Sequence, residues 1–262
     1  MKKGKILVGL LLSICLLFLS CNNKRTTPLE LALFSKAIEE NDVEYVKNEI
    51  KKNKNILYVG IEAVEGEVLY PIHQALWDST DDEIVELLAK KGTVNCVLHG
   101  VAPLELAIMK NRSNEVLQIL IDNGADIYKK DLNINTNIFH TFAQYNRNYE
   151  TWKFLSKYAT KEMLNEETEL GDHNTPIVTL VYEQVEGDID SAPENTAILL
   201  KEFIEKGANP NIFIYYEDFI INVVEVLNEY GFDEYKKVIL DGMRKSEPIG
   251  NSLELLEKLE QL

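Results

Sequence analysis

From Pro71 to Pro103 is 32 residues, and from Gly92 to Gly124 is again 32, so two independent markers hold one period. A fixed period of that length marks a chain built from copies of one supersecondary unit, none of which can bury its apolar face alone. Such copies must stack. Each proline opens a segment at the position where a missing amide proton costs a helix nothing and the fixed φ favours its first turn. Each glycine closes a second segment, where a left-handed residue ends a helix. Between the markers Ile84, Leu87 and Leu88, and in the next copy Val116, Ile119 and Leu120, recur at three-to-four spacing and form one apolar face. A parallel sheet would need apolar runs of four to eight residues alternating with these helices, and the chain lacks them. The fold is expected to be all-α, a solenoid of helix-turn-helix units.

The two clearest copies read Tyr70-Pro71-Ile72-His73-Gln74-Ala75-Leu76 followed by Glu83 to Leu88, and Ala102-Pro103-Leu104-Glu105-Leu106-Ala107 followed by Asn114 to Ile121. They resemble ankyrin repeats. The resemblance extends, with wear, to Asn137-Ile138-Phe139-His140, where Ile138 stands in the proline's place, and to Thr175-Pro176-Ile177, whose copy resumes after an insertion and closes at Gly207. It implies about five to six units. They fall near residues 34–60, 70–100, 102–134, 137–170, 174–213 and 217–243, with irregular end repeats and a cap helix at 251–262. In that cap Asn251 and Glu254 have capping-box spacing, and Leu253, Leu256, Leu259 and Leu262 share a face. The resemblance also makes His73 and His140 structural, hydrogen-bonding within and between loops, while Glu105 and Val178 replace the histidine in two copies.

The N-terminus has a different character. Lys2, Lys3 and Lys5 precede an uncharged run from Ile6 to Ser20, too short to span a membrane as a helix and laid out like a secretory signal peptide. It ends in Phe18-Leu19-Ser20-Cys21, which resembles the lipobox of bacterial lipoproteins, with Phe18 where leucine is usual. That resemblance implies removal of residues 1–20 and acylation of Cys21, leaving 21–28 as a lipidated tether and 29–262 as the repeat domain. The protein is then expected in the bacterial cell envelope, lipid-anchored to a membrane on its periplasmic or outer face, with Cys21 as its one membrane contact. The other reading is an export signal without a lipid.

Loss of residues 1–20 removes three lysines and no acid, which takes the formal charge from −16 to −19. Such a field repels nucleic acid and anionic headgroups and speeds encounter with a basic protein; a plainer reading is that it keeps the protein soluble. Of three cysteines only Cys96 remains in the folded part, so no intramolecular disulfide forms and packing alone supplies stability. A monomer is expected.

Catalytic constellations are missing from the sequence. It has no Gly-rich phosphate loop, no His-Glu-x-x-His helix, no Gly-x-Ser-x-Gly elbow and no Cys-x-x-Cys pair. Cys96 and His99 form a Cys-x-x-His pair in an inter-repeat loop, short of the three or four ligands of a zinc site and of the third, orienting group that a thiol nucleophile's base needs. Asp188 and Asp190 in the insertion 183–194, with Glu183, Glu186 and Glu194 nearby, lack the third ligand and central glycine of an EF-hand loop and read as a solvated acidic loop. No cofactor, metal ion or catalytic residue is expected, and a hydrolase with an unrecognised site is the weakest reading.

Binding is the stronger one. In ankyrin solenoids three places on each first helix face the concave groove. Aligned from the proline-equivalent position they are Gln74, Trp77 and Asp78; Leu106, Met109 and Lys110; Thr141, Gln144 and Tyr145; and Thr179, Tyr182 and Glu183. One column therefore holds Trp77, Met109, Gln144 and Tyr182, with Tyr145 beside it. Large aromatics outside the core are what binding hot spots are made of; the alternative is that Trp77 and Tyr182 fill gaps between irregular repeats. Loops at Leu98-His99-Gly100, Asp131-Leu132-Asn133, Glu166 to Glu169 and Tyr215-Tyr216-Glu217 add a second surface. The expected function is a membrane-tethered module that binds a protein partner, with a periplasmic immunity protein that neutralises a toxin as the specific alternative.

Overall fold

The structure is a computed structural model, and it describes residues 26–62, 68–78, 80–90, 92–130, 135–169, 174–185, 195–211, 213–215, 220–245, 257–259 and 261. The expected leader, Cys21, the loop Asp131-Leu132-Asn133, the insertion beyond 185, Tyr216-Glu217 and the start of the cap helix at 251–256 lie outside the described residues.

Six helix pairs follow one another. They are α1 (Pro28–Glu39) with α2 (Val43–Lys52), α3 (Pro71–Trp77) with α4 (Asp82–Leu88), and α5 (Pro103–Met109) with α6 (Asn114–Asp122). In the fourth pair α7 (Ile138–Thr141) runs into a π-helical turn (Phe142–Asn146) before α8 (Tyr149–Leu155), and α9 (Lys161–Leu164) follows. α10 (Pro176–Val185) pairs with α11 (Thr196–Glu205), and α12 (Val223–Glu229) with α13 (Asp233–Lys245). First helices pack on first helices, α1 on α3, α3 on α5, α5 on α7 and the π turn, and the π turn on α10. Second helices stack likewise, α2 on α4, α4 on α6 and α6 on α8. The product is the expected two-layered solenoid. Two short antiparallel hairpins decorate its loops, β1 (Ile61–Glu62) with β2 (Val68–Leu69) and β3 (Phe213–Tyr215) with β4 (Ile220–Asn222).

Capping residues set the helix starts. Pro71, Pro103 and Pro176 stand at the first turn as read from the sequence. Ser113 accepts from the Val116 amide, Asn148 from those of Glu150 and Thr151, and Asn222 from that of Val224. Thr27 and Glu30 form a reciprocal capping box at Pro28, so the first helix opens six residues before the repeat start expected at 34. The repeat domain thereby takes in the end of the expected tether, where Asn53 donates to Thr26 Oγ1 at 2.9 Å.

Helix ends correct one expectation. Gly124 and Gly207 are left-handed, with φ of 92° and 104°, but Gly92 is not. There α4 stops at Leu88, Ala89 turns extended, and the Thr93 hydroxyl donates to the Leu88 carbonyl at 2.7 Å, a hydroxyl closing the helix where a left-handed glycine was expected to. A Cβ at Gly92 would lie 2.7 Å from Cε1 of the half-exposed Tyr58, so a side chain there requires that ring to move. A second left-handed marker sits in the turn between the two helices of a repeat, at Asn41, Asn111, Arg147 and Gly231. It exposes the irregularity of the fourth repeat. Pro103 to Asn111 and Val223 to Gly231 are both eight residues, whereas Ile138 to Arg147 is nine. The π turn accommodates the extra residue of the first helix, and the link to α8 is one residue shorter in return, since α5 and α6, like α7 and α8, start eleven residues apart.

One continuous core runs the length of the stack. It is aliphatic in the second and third repeats and aromatic between the fourth and fifth, where Phe139, Phe142, Trp152 and Phe203 are fully buried. At the far end Leu259 is buried and Lys258 pairs with Glu225 of α12 at 3.6 Å, so the chain closes over the last repeat.

Candidate functional site

Of the twelve aligned groove positions, nine (all but Leu106, Thr141 and Thr179) are expected to contact a partner, and the structure draws five of these into two adjacent sets. Trp77 is 56% exposed at the end of α3, and the Lys110 ammonium lies 3.5 Å from the centre of its ring, a cation–π contact that fastens α5 to α3 across the surface. Met109, next to Lys110, lines a cleft of about 120 Å³ together with Glu105, His140, Thr141, Gln144 and Tyr145. Tyr145 is 50% exposed.

The remaining four are placed differently. Gln74 is half-buried and committed to the neighbouring repeat, accepting from Ser35 Oγ at 2.9 Å and donating to the Ser35 carbonyl at 3.0 Å. Asp78 is exposed and ends α3. Tyr182 is half-buried and packs against the core. The half-buried Glu183 accepts from Arg147 Nη1 through its backbone carbonyl, at 3.4 Å.

The π turn also changes the column itself. Alignment from the helix start puts Gln144 level with Trp77 and Met109. Counted back from the left-handed turn residue, the level position is Tyr145, two before Arg147 as Met109 is two before Asn111. The π turn brings tyrosine level with Met109, and Gln144 lines the same cleft beside it.

The histidines and the cysteine are structural in their geometry. His140 Nδ1 accepts from the Asn137 amide at 3.2 Å, so the ring proton sits on Nε2, 3.1 Å from the Asn174 carbonyl of the next repeat. His73 is fully buried, and loss of hydration pushes its pKa down to about 4. Cys96 donates its thiol proton to the Thr93 carbonyl at 2.7 Å and lies 4.0 Å from His73 Nδ1. Burial pushes that thiol up to about 11, which keeps it protonated and unreactive at neutral pH. The expected neighbour His99 stands in a loop turn with φ of 51°. Among the described residues, no three histidine, cysteine, aspartate or glutamate side chains converge to hold a metal ion, and no helix is long and apolar enough to cross a membrane.

Two asparagines that the sequence reading passed over join repeats. Asn95 donates to the Gly124 carbonyl at 2.7 Å and accepts from the Asp126 amide at 2.9 Å. Asn165 does the same to Gly207 and Asn209, at 2.8 and 2.6 Å. Each satisfies both groups of a peptide-like pair in the following repeat, which fixes the step between neighbours.

Comparison of the sequence with protein-family models gives no match, and neither does comparison with curated proteins. Solved structures do match. An ankyrin repeat domain from Acinetobacter baumannii superposes with a TM-score of 0.61 at 17% identity, covering 80% of this chain and 96% of that one. The ankyrin repeat domain of Bcl-3, of the IkappaB protein family, gives 0.60 at 16% identity, covering 84% and 87%. The fold is an ankyrin-repeat solenoid. A chain from the complex of the predatory endopeptidase Bd0816 of Bdellovibrio bacteriovorus with immunity protein Bd3460 gives 0.57 at 21% identity, covering 81% of this chain and 97% of that one. In ankyrin terms the cation–π pair joins the ends of the first helices of repeats 2 and 3, and the cleft runs along those of repeats 3 and 4.

Proposed function

We propose that this protein is a membrane-tethered binding module of the cell envelope that engages a basic protein partner through the face built by α3, α5 and the π turn. One observation carries the reading. Trp77, Met109 and Tyr145 hold the same place on three successive first helices, and two of them are large aromatics at least half exposed. Exposed aromatics in register offer a partner a large contact area at small entropic cost. The formal charge of −16 supplies long-range attraction for a basic partner. The lipobox resemblance at Cys21 supports the tether.

A second reading, that the partner is an enzyme or toxin neutralised in the periplasm, is favoured by the likeness to a chain of the endopeptidase–immunity protein complex. Both readings meet one experiment. Residues 24–262 immobilised as bait in an envelope extract are expected to retain a basic protein that salt releases and that the Trp77→Ala/Tyr145→Ala bait does not retain. The activity of the retained protein, assayed with and without the bait, separates holding from inhibition. Equal retention by both baits rejects the groove. For the tether, an alkyne-labelled fatty acid should mark the native protein and not Cys21→Ser; equal labelling removes Cys21 as the anchor.

A further inference from the structure

The two ends of the solenoid differ in what they expose. On α13, at the far end, the exposed side chains are Asp233, Glu234, Lys237, Arg244 and Lys245, the polar outer face that keeps the end of a repeat stack soluble. On α1 the first two turns expose Pro28, Leu29, Ala32 and Leu33 instead, with Leu29 at 69% and Leu33 at 45%. Leu29, Ala32 and Leu33 are spaced by three and four residues and so share one stripe. The opposite side of α1 is spent on the core through Phe34, Ala37 and Ile38. Ser35 bonds to Gln74 of α3, and residues two apart on a helix point about 200° from each other. Leu33 therefore points away from repeat 2, out of the end of the stack.

Two observations say what lies against this stripe. Asn53 donates to Thr26 Oγ1 at 2.9 Å and Thr27 caps α1, so the chain is tied to the folded domain from residue 26 onward. Cys21 and Thr26 are only five residues apart, a reach of at most about 18 Å, so a lipid on Cys21 keeps the start of α1 beside the bilayer. The second observation is charge. Residues 24–54 hold seven basic and six acidic side chains, whereas residues 55–262 hold 17 and 37, a net charge of +1 against −20. At the end of the stripe Lys36 pairs with Glu40 at 3.4 Å, which leaves its flank neutral. An anionic headgroup layer repels the body of the mature chain and not its first repeat.

We propose that Leu29, Ala32 and Leu33 rest in the interface of the phospholipid bilayer that holds the Cys21 lipid. Exposed leucines on an amphipathic helix enter the boundary between headgroups and acyl chains and leave the rest of the helix outside. The stripe is a second membrane contact beside Cys21, and its work is orientation. With repeat 1 seated on the lipid, repeats 2 to 6 project from the membrane and present their groove to a partner. The proposal rests on the tether read from the lipobox resemblance.

The test places an environment-sensitive nitrobenzoxadiazole label on Ala32→Cys in the acylated mature protein, held in vesicles of phosphatidylethanolamine and phosphatidylglycerol. Cys96→Ser leaves one reactive thiol and keeps a donor for the Thr93 carbonyl. A label on Tyr230→Cys, 51% exposed in the last repeat, is the reference. The Ala32 label should emit to the blue of the reference and be quenched by nitroxide-bearing lipids, while the Tyr230 label behaves as in water. Leu29→Gln/Leu33→Gln should return the Ala32 label to the reference values, with the protein still on the vesicles and its melting temperature unchanged.

Equal emission and quenching at the two positions, or indifference to the glutamine pair, overturns the docking. An Ala32 label already shielded from water in residues 24–262 without vesicles overturns it too, because protein then covers the stripe. Failure of the tether looks different. A native protein whose Cys21 takes up no fatty acid removes tether and docking together, whereas failed docking alone leaves acylated protein on the vesicles with the Ala32 label in water.

Discussion

Repeats 2 and 3 meet as two copies of one unit, and repeats 4 and 5 meet by other means. In the first junction the fully buried apolar side chains include Leu76, Ile84, Leu88, Ile108, Val116 and Leu120, all aliphatic. Asn95 fixes the step, and the buried Arg112 guanidinium reaches back to the Ala75 and Thr80 carbonyls at 3.0 and 2.5 Å. In the second, Trp152 stacks on Phe203 with ring centres 4.2 Å apart and planes 19° from parallel. Its indole nitrogen donates to Glu202 Oε2 at 2.6 Å, and the Tyr149 hydroxyl donates to Glu202 Oε1 at 2.7 Å. The same carboxylate raises the Tyr149 pKa, since the hydrogen bond it accepts requires the phenol's proton. Regular copies join through backbone groups and interchangeable methyls. The irregular copy needs specific rings, and beside it the surface opens into a cleft.

That contrast can be broken most directly at its centre. Trp152→Ala should lower the unfolding free energy by about 4 kcal/mol in urea, the usual loss for a large buried ring. A change under about 1 kcal/mol would show that the aromatic junction does not hold the stack. In the regular junction the fully buried His73 makes stability depend on pH. Its folded pKa of about 4 lies below the ordinary 6.5, so the unfolded chain binds the proton more readily. Stability should therefore fall as pH drops from about 6.5 towards 4, by up to about 3 kcal/mol for this group, and His73→Asn should flatten that slope. An unaltered slope would assign acid lability elsewhere.

Smaller effects sharpen the comparison. Asn95→Ala and Asn165→Ala should each cost about 1–2 kcal/mol, two modest hydrogen bonds apiece, measured by thermal unfolding. Equal losses would make the asparagine clamp common to regular and irregular junctions; a loss confined to Asn95 would restrict it to the regular ones. Smallest is Trp77→Ala, worth no more than about 1 kcal/mol through its contact with Lys110. A drop well beyond that would move Trp77 from surface to core.

The solenoid was legible because its signals are local and repeated. Pro71, Pro103 and Pro176 open helices wherever they fall, and Gly124 and Gly207 end them. Gly92 misled because an end with a hydroxyl at hand needs no left-handed residue, and nothing about a glycine distinguishes room for Tyr58 from freedom of φ. Of the candidate site, alignment names Trp77, Met109, Lys110, Gln144 and Tyr145, and the structure places these five on one face. Gln74 and Tyr182 were assigned to the groove because a sequence column says which way a position faces and not what it has bonded to. Ser35 lies 39 residues from Gln74, in a repeat too worn to align with confidence on its own spacing. The asparagine clamps were missed for the same reason, since each partner lies a full repeat away.

The π turn changes a groove side chain without lengthening its repeat, since α3 and α4, α5 and α6, and α7 and α8 all start eleven residues apart. In a helix pair of fixed length, an inserted residue would rotate everything after it by a quarter turn or more and unseat the next repeat. Here the rotation is spent within Phe142–Asn146, and α8 resumes in place to stack on α6. An array of this kind can therefore present a different groove side chain by drawing one linker residue into the first helix, while its neighbours keep their alignment.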